Sequence, residues 1–147
     1  MSWQENLISD TQGIRGLLAR TKRIAVLGMR TEAYAFKPAF YVPEYLVSAG
    51  LEVIPVPVHH TEAETILGQK VYHKLTDIPG EIDLVNVFRR PADIDGHLED
   101  ILAKMPTAVW FQSGIRNDNA AEKLARAGIK VVQDRCLMID HRQFGQN

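Results

Sequence analysis

The chain has 147 residues, about the length of one domain, of which 46% are hydrophobic and 24% charged. Its 17 Lys and Arg nearly balance its 18 Asp and Glu, and the formal net charge of −1 excludes a polyanion binder driven by bulk charge, leaving only local basic clusters. A single cysteine, Cys136, excludes an internal disulfide and a Cys-rich zinc site.

The first ten residues are polar, without a basic segment followed by an apolar stretch, and no run approaches the roughly 18 apolar residues of a membrane helix. A cytoplasmic protein without membrane contact is therefore expected. Asp10 is placed to cap a helix with Ile14, Leu17 and Leu18 on one face and basic residues at its end, although Gly13 and Gly16 lower its propensity. Residues 1–22 read as a helical segment packed on the domain. Residues 24–27 form a continuous apolar strand stopped by Gly28. Residues 39–49 have helical apolar spacing, with Pro43 assigned to the first turn or so and Gly50 past the end.

A second strand covers residues 52–56, where Pro55 and Pro57 halt it. Residues 62–67 read as a short helix closed by Gly68, and residues 70–72 as a short strand. Residues 83–88 are another apolar strand. Pro91 opens a helix whose stripe is Ile94, Leu98, Ile101, Leu102 and Met105. Residues 108–111 form a strand, Asn117 or Asp118 caps a helix through Ala127 that Gly128 ends, and residues 130–132 form the last strand. No repeat or linker divides the chain. This alternation predicts a single-domain Rossmann-like α/β fold: a mostly parallel sheet with helices on both faces.

In such a sheet ligands bind beyond the carboxyl ends of the strands. Arg30, Arg89, Arg90, Arg116 and Arg135 all follow predicted strands, and as a group they predict an anionic ligand, because guanidinium donates paired hydrogen bonds to phosphate. Singly, each is as well explained by an acidic neighbour or by water. A nicotinamide dinucleotide is disfavoured. The glycine fingerprint needs three glycines near the first turn, yet Gly28 stands alone before Gly50, and no acidic residue closes the second strand.

Several segments together resemble the stand-alone CoA-binding domain proteins, similar to the N-terminal nucleotide domain of the succinyl-CoA synthetase α-subunit. They are residues 24–28 (IAVLG), 53–57 (VIPVP), 67–72 (LGQKVY), 75–79 (LTDIP), 87–91 (VFRRP), 109–117 (VWFQSGIRN) and 134–136 (DRC), in the family's order over nearly the whole chain. The resemblance implies that coenzyme A, or an acyl-CoA, lies along the carboxyl edge of the sheet. Gly28, Met29, Arg30 and Lys37 would approach the diphosphate, and Pro55, Val56 and Pro57 would wall the adenine side. Phe88, Arg89, Arg90, Gln112, Gly114 and Ile115 would border the crevice and the pantetheine arm. The first loop departs from the family's Gly-Ala-Ser pattern and is bulkier, at residues 28–38 (GMRTEAYAFKP). The synthetase's phosphorylated His belongs to a second domain that 147 residues do not accommodate, so ligase chemistry is not expected.

Three functional readings follow: a CoA-binding module, an enzyme on a nucleotide or CoA thioester, or an interaction protein whose ancestral pocket is filled by Met29 and the aromatic residues of the first loop. A homo-oligomer or an enzyme partner fits the first, and nucleic acid fits none. The His59-His60 pair with Glu62 and Glu64 reads as a polar loop rather than a metal site, because neighbours on extended chain point apart. Cys136 beside Arg135 is either an activated thiol, open to a mixed disulfide with CoA, or a small buried residue; the second is commoner. Trp110 and Phe111 read as core. Trp3 docks either the N-terminal segment or a partner. Asp134 reads as a salt-bridge or capping residue rather than a base.

Overall fold

The computed structural model describes residues 2–59 and 62–145, so His60 of the histidine pair lies outside the described residues. A 3-10 turn at Trp3–Asn6 leads to α1 (Thr11–Arg20), β1 (Arg23–Leu27), α2 (Pro38–Ser48) and β2 (Glu52–Val56). A hairpin of β3 (Thr65–Ile66) and β4 (Gln69–Lys70) precedes β5 (Leu84–Val87). Then come α3 (Leu98–Lys104), β6 (Ala108–Phe111), α4 (Asp118–Arg126), β7 (Lys130–Val132) and α5 (Leu137–Asp140). Five strands pair in parallel in the order β2-β1-β5-β6-β7, the Rossmann-like α/β sheet expected from the sequence.

Strand residues alternate between two apolar layers, as a period of two requires. Ala25, Leu27, Val85, Val87, Val109 and Phe111 face α3 and α4, while Ile24, Val26, Leu84 and Trp110 face α1, α2 and α5. Both faces of the sheet are thus covered, which is why its strands read as unbroken apolar runs. Among the described residues no helix is long and apolar enough to cross a membrane.

Four local expectations are corrected. Residues 62–67 do not form a helix: Leu67 (φ 53°) and Gly68 (φ 73°) make a two-residue left-handed turn, pairing Thr65 with Lys70 and Ile66 with Gln69. Such a turn needs positive φ at both central residues, and Leu is an unfavourable choice for one of them, so the sequence signal was weak. The helix expected from Pro91 is a 3-10 stretch, Pro91–His97, before α3. Met105 leaves the apolar stripe. It ends α3 in the left-handed region and is exposed, because the following Pro106 disfavours helical backbone before it. Pro43 lies in the second turn of α2 and not the first. The missing N–H would have reached the Ala39 carbonyl, and that carbonyl accepts the Arg30 N–H instead, at 3.1 Å.

Asn117, rather than Asp118, caps α4 by accepting the Ala120 N–H at 3.0 Å. Asp10 occupies the N-cap of α1 without a side-chain cap bond, and a Cβ on Gly13 would stand 2.7 Å from its carboxylate oxygen. The glycine that weakens α1 therefore permits this close packing.

The edge of β7 is covered by the N-terminal segment. Leu7 bridges Val131 in parallel, and the Ile8 N–H donates to the Val131 carbonyl at 2.8 Å. Asn6 Nδ2 donates to the Ala125 carbonyl at 2.9 Å, and the Arg126 guanidinium stacks on Trp3, 4.8 Å from the ring centre. Trp3 therefore docks its own segment on α4. An uncovered edge strand is a template for another chain. Deleting residues 2–8 is expected to cost about 1–2 kcal/mol, lowering Tm by roughly 2–6 °C, and to promote concentration-dependent association in size-exclusion chromatography. An unchanged Tm and elution volume would contradict this role.

Candidate functional site

The chain leaves β1 to one side to form β2 and returns on the other side to form β5. Crossovers that depart in opposite directions leave a crevice at the carboxyl ends of β1 and β5, where ligands of such sheets bind. The structure has a cleft of about 760 Å³ there, within the usual size of small-molecule sites. The loop after β1 contributes Gly28 and Arg30, the start of α2 contributes Lys37, Pro38 and Ala39, and the β2 loop contributes His59. Phe88, Arg89, Arg90 and Pro91 follow β5, and Gln112, Ser113, Gly114 and Ile115 follow β6.

Gly28 sets the approach of the two central strands. Its φ is 88°, and a Cβ there would stand 2.4 Å from the Phe88 carbonyl oxygen. Its N–H is already used, donating to the Val56 carbonyl at 2.8 Å, as the Arg30 N–H is by Ala39. Gly28 lines the cleft as expected, but what it supplies there is clearance, since its amide is engaged.

Of the residues expected at the site, Gly28, Arg30, Lys37, Phe88, Arg89, Arg90, Gln112, Gly114 and Ile115 come together around the cleft. Four do not. Met29 is fully buried in the layer beneath α2, and Pro55, Val56 and Pro57 are buried in and just after the edge strand β2. Their side chains were apolar enough to be drawn into the core. Met29, Tyr34 and Phe36 do not fill the cleft, and Phe36 is 73% exposed. Cys136 also stays off the cleft, half-buried at the start of α5. The expected group of five arginines divides: Arg116 pairs with Asp118 and Arg135 forms a two-bond pair with Asp140, both away from the cleft.

Among the described residues the cleft lining carries Arg30, Lys37, Arg89 and Arg90 and no Asp or Glu. The Arg30 guanidinium lies 4.1 Å from the centre of the Tyr34 ring, and its Nε is buried without a hydrogen-bond partner. Arg90 pairs with Asp93 at 2.8 Å but remains 84% exposed, and its hydrogen bond is the main reason Asp93 is held below the ordinary carboxylate range. Arg89 Nε donates to His97 Nε2 at 3.2 Å, with Asp93 3.6 Å from its Nη2. Asp134, at φ 56°, accepts the Gly114 N–H at 2.6 Å and ties the β6 loop to the β7 loop.

Two residues that carry this arrangement were not singled out from the sequence. Asn86, fully buried in β5, donates from Nδ2 to Gln112 Oε1 at 3.2 Å. A lone amide inside an apolar strand is a usable signal, since buried polar groups need partners. His97 lay in a predicted helix, where nothing marked its contact with Arg89.

A family described as "CoA binding domain" matches residues 22–142. The chain belongs to that family. YneT, an uncharacterized protein of Bacillus subtilis (strain 168), is 36% identical over 128 residues, covering 87% of this chain and 91% of the relative. A Thermus thermophilus protein, cell-free ID.343, superposes with a TM-score of 0.86 at 39% identity, covering 92% of this chain and 99% of its own. The dinucleotide forming acetyl-coenzyme A synthetase 1 of Ca. Korarchaeum cryptofilum shares the fold, with a TM-score of 0.65 at 20% identity. The match covers 78% of this chain and 26% of the synthetase. The CoA-binding domain resemblance drawn from the sequence is thereby established.

Two tests follow from this geometry. Gly28→Ala is expected to lower stability by about 2 kcal/mol or more in chemical denaturation, because a left-handed backbone and a backbone clash both oppose the methyl group. A near-neutral effect would mean that β1 and β5 do not approach this closely. His97 is held below the ordinary imidazole range by burial and then by the Arg89 charge, with Asp100 and Asp93 opposing. The unfolded chain therefore takes up a proton first as the pH falls. Stability contributed by neutral His97 is full above the ordinary value of about 6.5 and is lost as pH drops through the folded value. Tm should fall between pH 7.5 and 5, and His97→Gln, whose Oε1 still accepts from Arg89, should show a shallower fall; part of the slope remains from His141, also lowered by burial. Equal slopes would remove His97 from this role.

Proposed function

We propose that the cleft binds coenzyme A or an acyl-CoA and that this chain acts as a binding module without ligase chemistry of its own. One observation carries the reading: four cations, Arg30, Lys37, Arg89 and Arg90, line a cleft at the sheet's switch point, and Asp93 offsets only part of that charge through Arg90 at 2.8 Å and Arg89 at 3.6 Å. An adenosine carrying a diphosphate and a further phosphate answers that charge. Arg30, whose buried Nε lacks a partner, and Arg89, held on its inner side by His97, are the groups assigned to phosphate. Lys37 stands at the N-cap of α2, where the helix dipole adds to its charge. Phe88 and Ile115 offer apolar contact to the uncharged arm. The family membership supports this choice of anion over others.

Chemically the residues do three things in this reading. The guanidinium groups replace the water around the phosphates, Phe88 and Ile115 take the arm out of water, and the Gly28 turn keeps the floor low enough for both. The cleft is open in the structure, which speaks against the reading of a filled ancestral pocket.

Isothermal titration and thermal shift test this directly. CoA at 100 times its Kd should stabilise the fold by about 2.7 kcal/mol, a shift of several degrees, while NAD should not. Arg30→Ala and Arg89→Ala should each weaken CoA roughly 10- to 100-fold, as expected for a lost charge-assisted hydrogen bond. No stabilisation by CoA or acetyl-CoA would overturn the proposal, and a shift with ADP equal to that with CoA would reduce it to nucleotide binding.

A further inference from the structure

We infer that Gln112 is a fixed hydrogen-bond donor that reads a carbonyl oxygen of the ligand, on the uncharged arm of coenzyme A or on an acyl thioester. The inference rests on the CoA reading and adds to it the group that distinguishes the arm from the nucleotide.

The orientation of the Gln112 amide is decided by its neighbours. Its Oε1 accepts the Leu137 backbone N–H at 3.3 Å and the Asn86 Nδ2–H at 3.2 Å. A backbone N–H only donates, so the amide flipped by 180° would set its NH₂ against that donor. Asn86 is itself oriented by donating to the Trp110 carbonyl, 3.4 Å away. The oxygen is therefore turned toward α5, and Nε2 is turned the other way.

Gln112 is 4% exposed, and it lines the cleft. Its Nε2 is not among the buried atoms that lack a partner, and no acceptor within the described residues bonds it. The amide nitrogen is thus not sealed off from solvent, in a side chain that lines the cleft. A donor open to the cleft is hydrated in the free protein, and a ligand carbonyl placed there would take the position of that water.

The nature of the acceptor follows from the surroundings. The cations suited to phosphate are on the β1 and β5 loops and at the start of α2, while Gln112 is neutral and is flanked in the lining by the half-buried Phe88 and Ile115. A neutral donor between apolar side chains matches a carbonyl better than a phosphate. Asn86 is then a positioning residue, acting through Gln112 without touching the ligand.

Titrations of the full chain with CoA, acetyl-CoA and adenosine 3′,5′-bisphosphate, which lacks the arm, test the assignment. Gln112→Met keeps length and charge but removes the donor. It should weaken CoA roughly 5- to 10-fold, the loss expected for one hydrogen bond, and leave the bisphosphate within about twofold. Equal loss for both CoA and acetyl-CoA places the acceptor in the arm; a larger loss for acetyl-CoA places it on the thioester, and either result supports the inference. Loss of the bisphosphate in parallel, or no loss for any ligand, overturns it while leaving the CoA reading standing. Failure of every ligand to bind the unmodified chain overturns both. Should Gln112→Met not fold, Gln112→Glu retains an oxygen for Asn86 and Leu137, and the ratio of CoA to bisphosphate affinity must still fall.

Discussion

The close passage of Gly28 past the Phe88 carbonyl is the constraint on which the carboxyl edge of this sheet depends. With a Cβ position only 2.4 Å from that oxygen, no other residue lets β1 and β5 end side by side at this separation. Because these are the strands between which the chain changes direction across the sheet, the same contact sets the floor of the cleft. The Gly28 N–H stays with Val56, so the turn is held in place from the opposite flank as well. The second clamp is the Arg30 N–H on the Ala39 carbonyl, an acceptor left available because Pro43 has no N–H to offer it. A proline inside a helix thus fastens the first loop to α2, and it brings Arg30 and Lys37 to one rim.

Charge at that rim is a matter of which carboxylates lie within reach. Arg116 and Arg135 follow strands just as Arg30, Arg89 and Arg90 do, yet they are taken up by Asp118 and Asp140 on their own segments. Arg90 is shared with Asp93 but remains largely in water, where such a pair is weak and readily exchanged. Arg89 is oriented by a neutral acceptor in His97, with Asp93 farther off at 3.6 Å from its Nη2. The result is a locally cationic rim in a protein whose net charge is close to zero, which overall composition conceals.

Beneath the cations runs a neutral chain of hydrogen bonds from Asn86 in β5 through Gln112 after β6 to the N–H of Leu137 in α5. It joins three elements distant in sequence: Asn86 is oriented by donating to the Trp110 carbonyl, and Gln112 by accepting the Leu137 N–H. Such a buried network is specific because each member left unpaired is penalised. The cleft therefore combines cationic side chains with a neutral amide held by this network.

Much of this was legible in the order of residues. Apolar runs at 24–27 and 108–111, and at 84–87 broken only by Asn86, required strands covered on both faces, and their alternation with helices required a parallel sheet, because period and burial are properties of neighbouring residues. The loops after β1, β5 and β6 followed from that topology. What the sequence could not decide was the direction of individual side chains. Met29, Pro55, Val56 and Pro57 sit at the right places in the chain but turn into the core, while five arginines that look alike divide between cleft and carboxylate. The hairpin turn at Leu67 and Gly68 was hidden because its backbone conformation is unfavourable for Leu and is held by the docking of Ile66 in the core and by Glu32, which accepts the Leu67 N–H. Local pattern determines what an element is and which face it buries; pairing between groups far apart in the chain, as in Arg89 with His97 or Gln112 with Leu137, exists only once packing has brought them together.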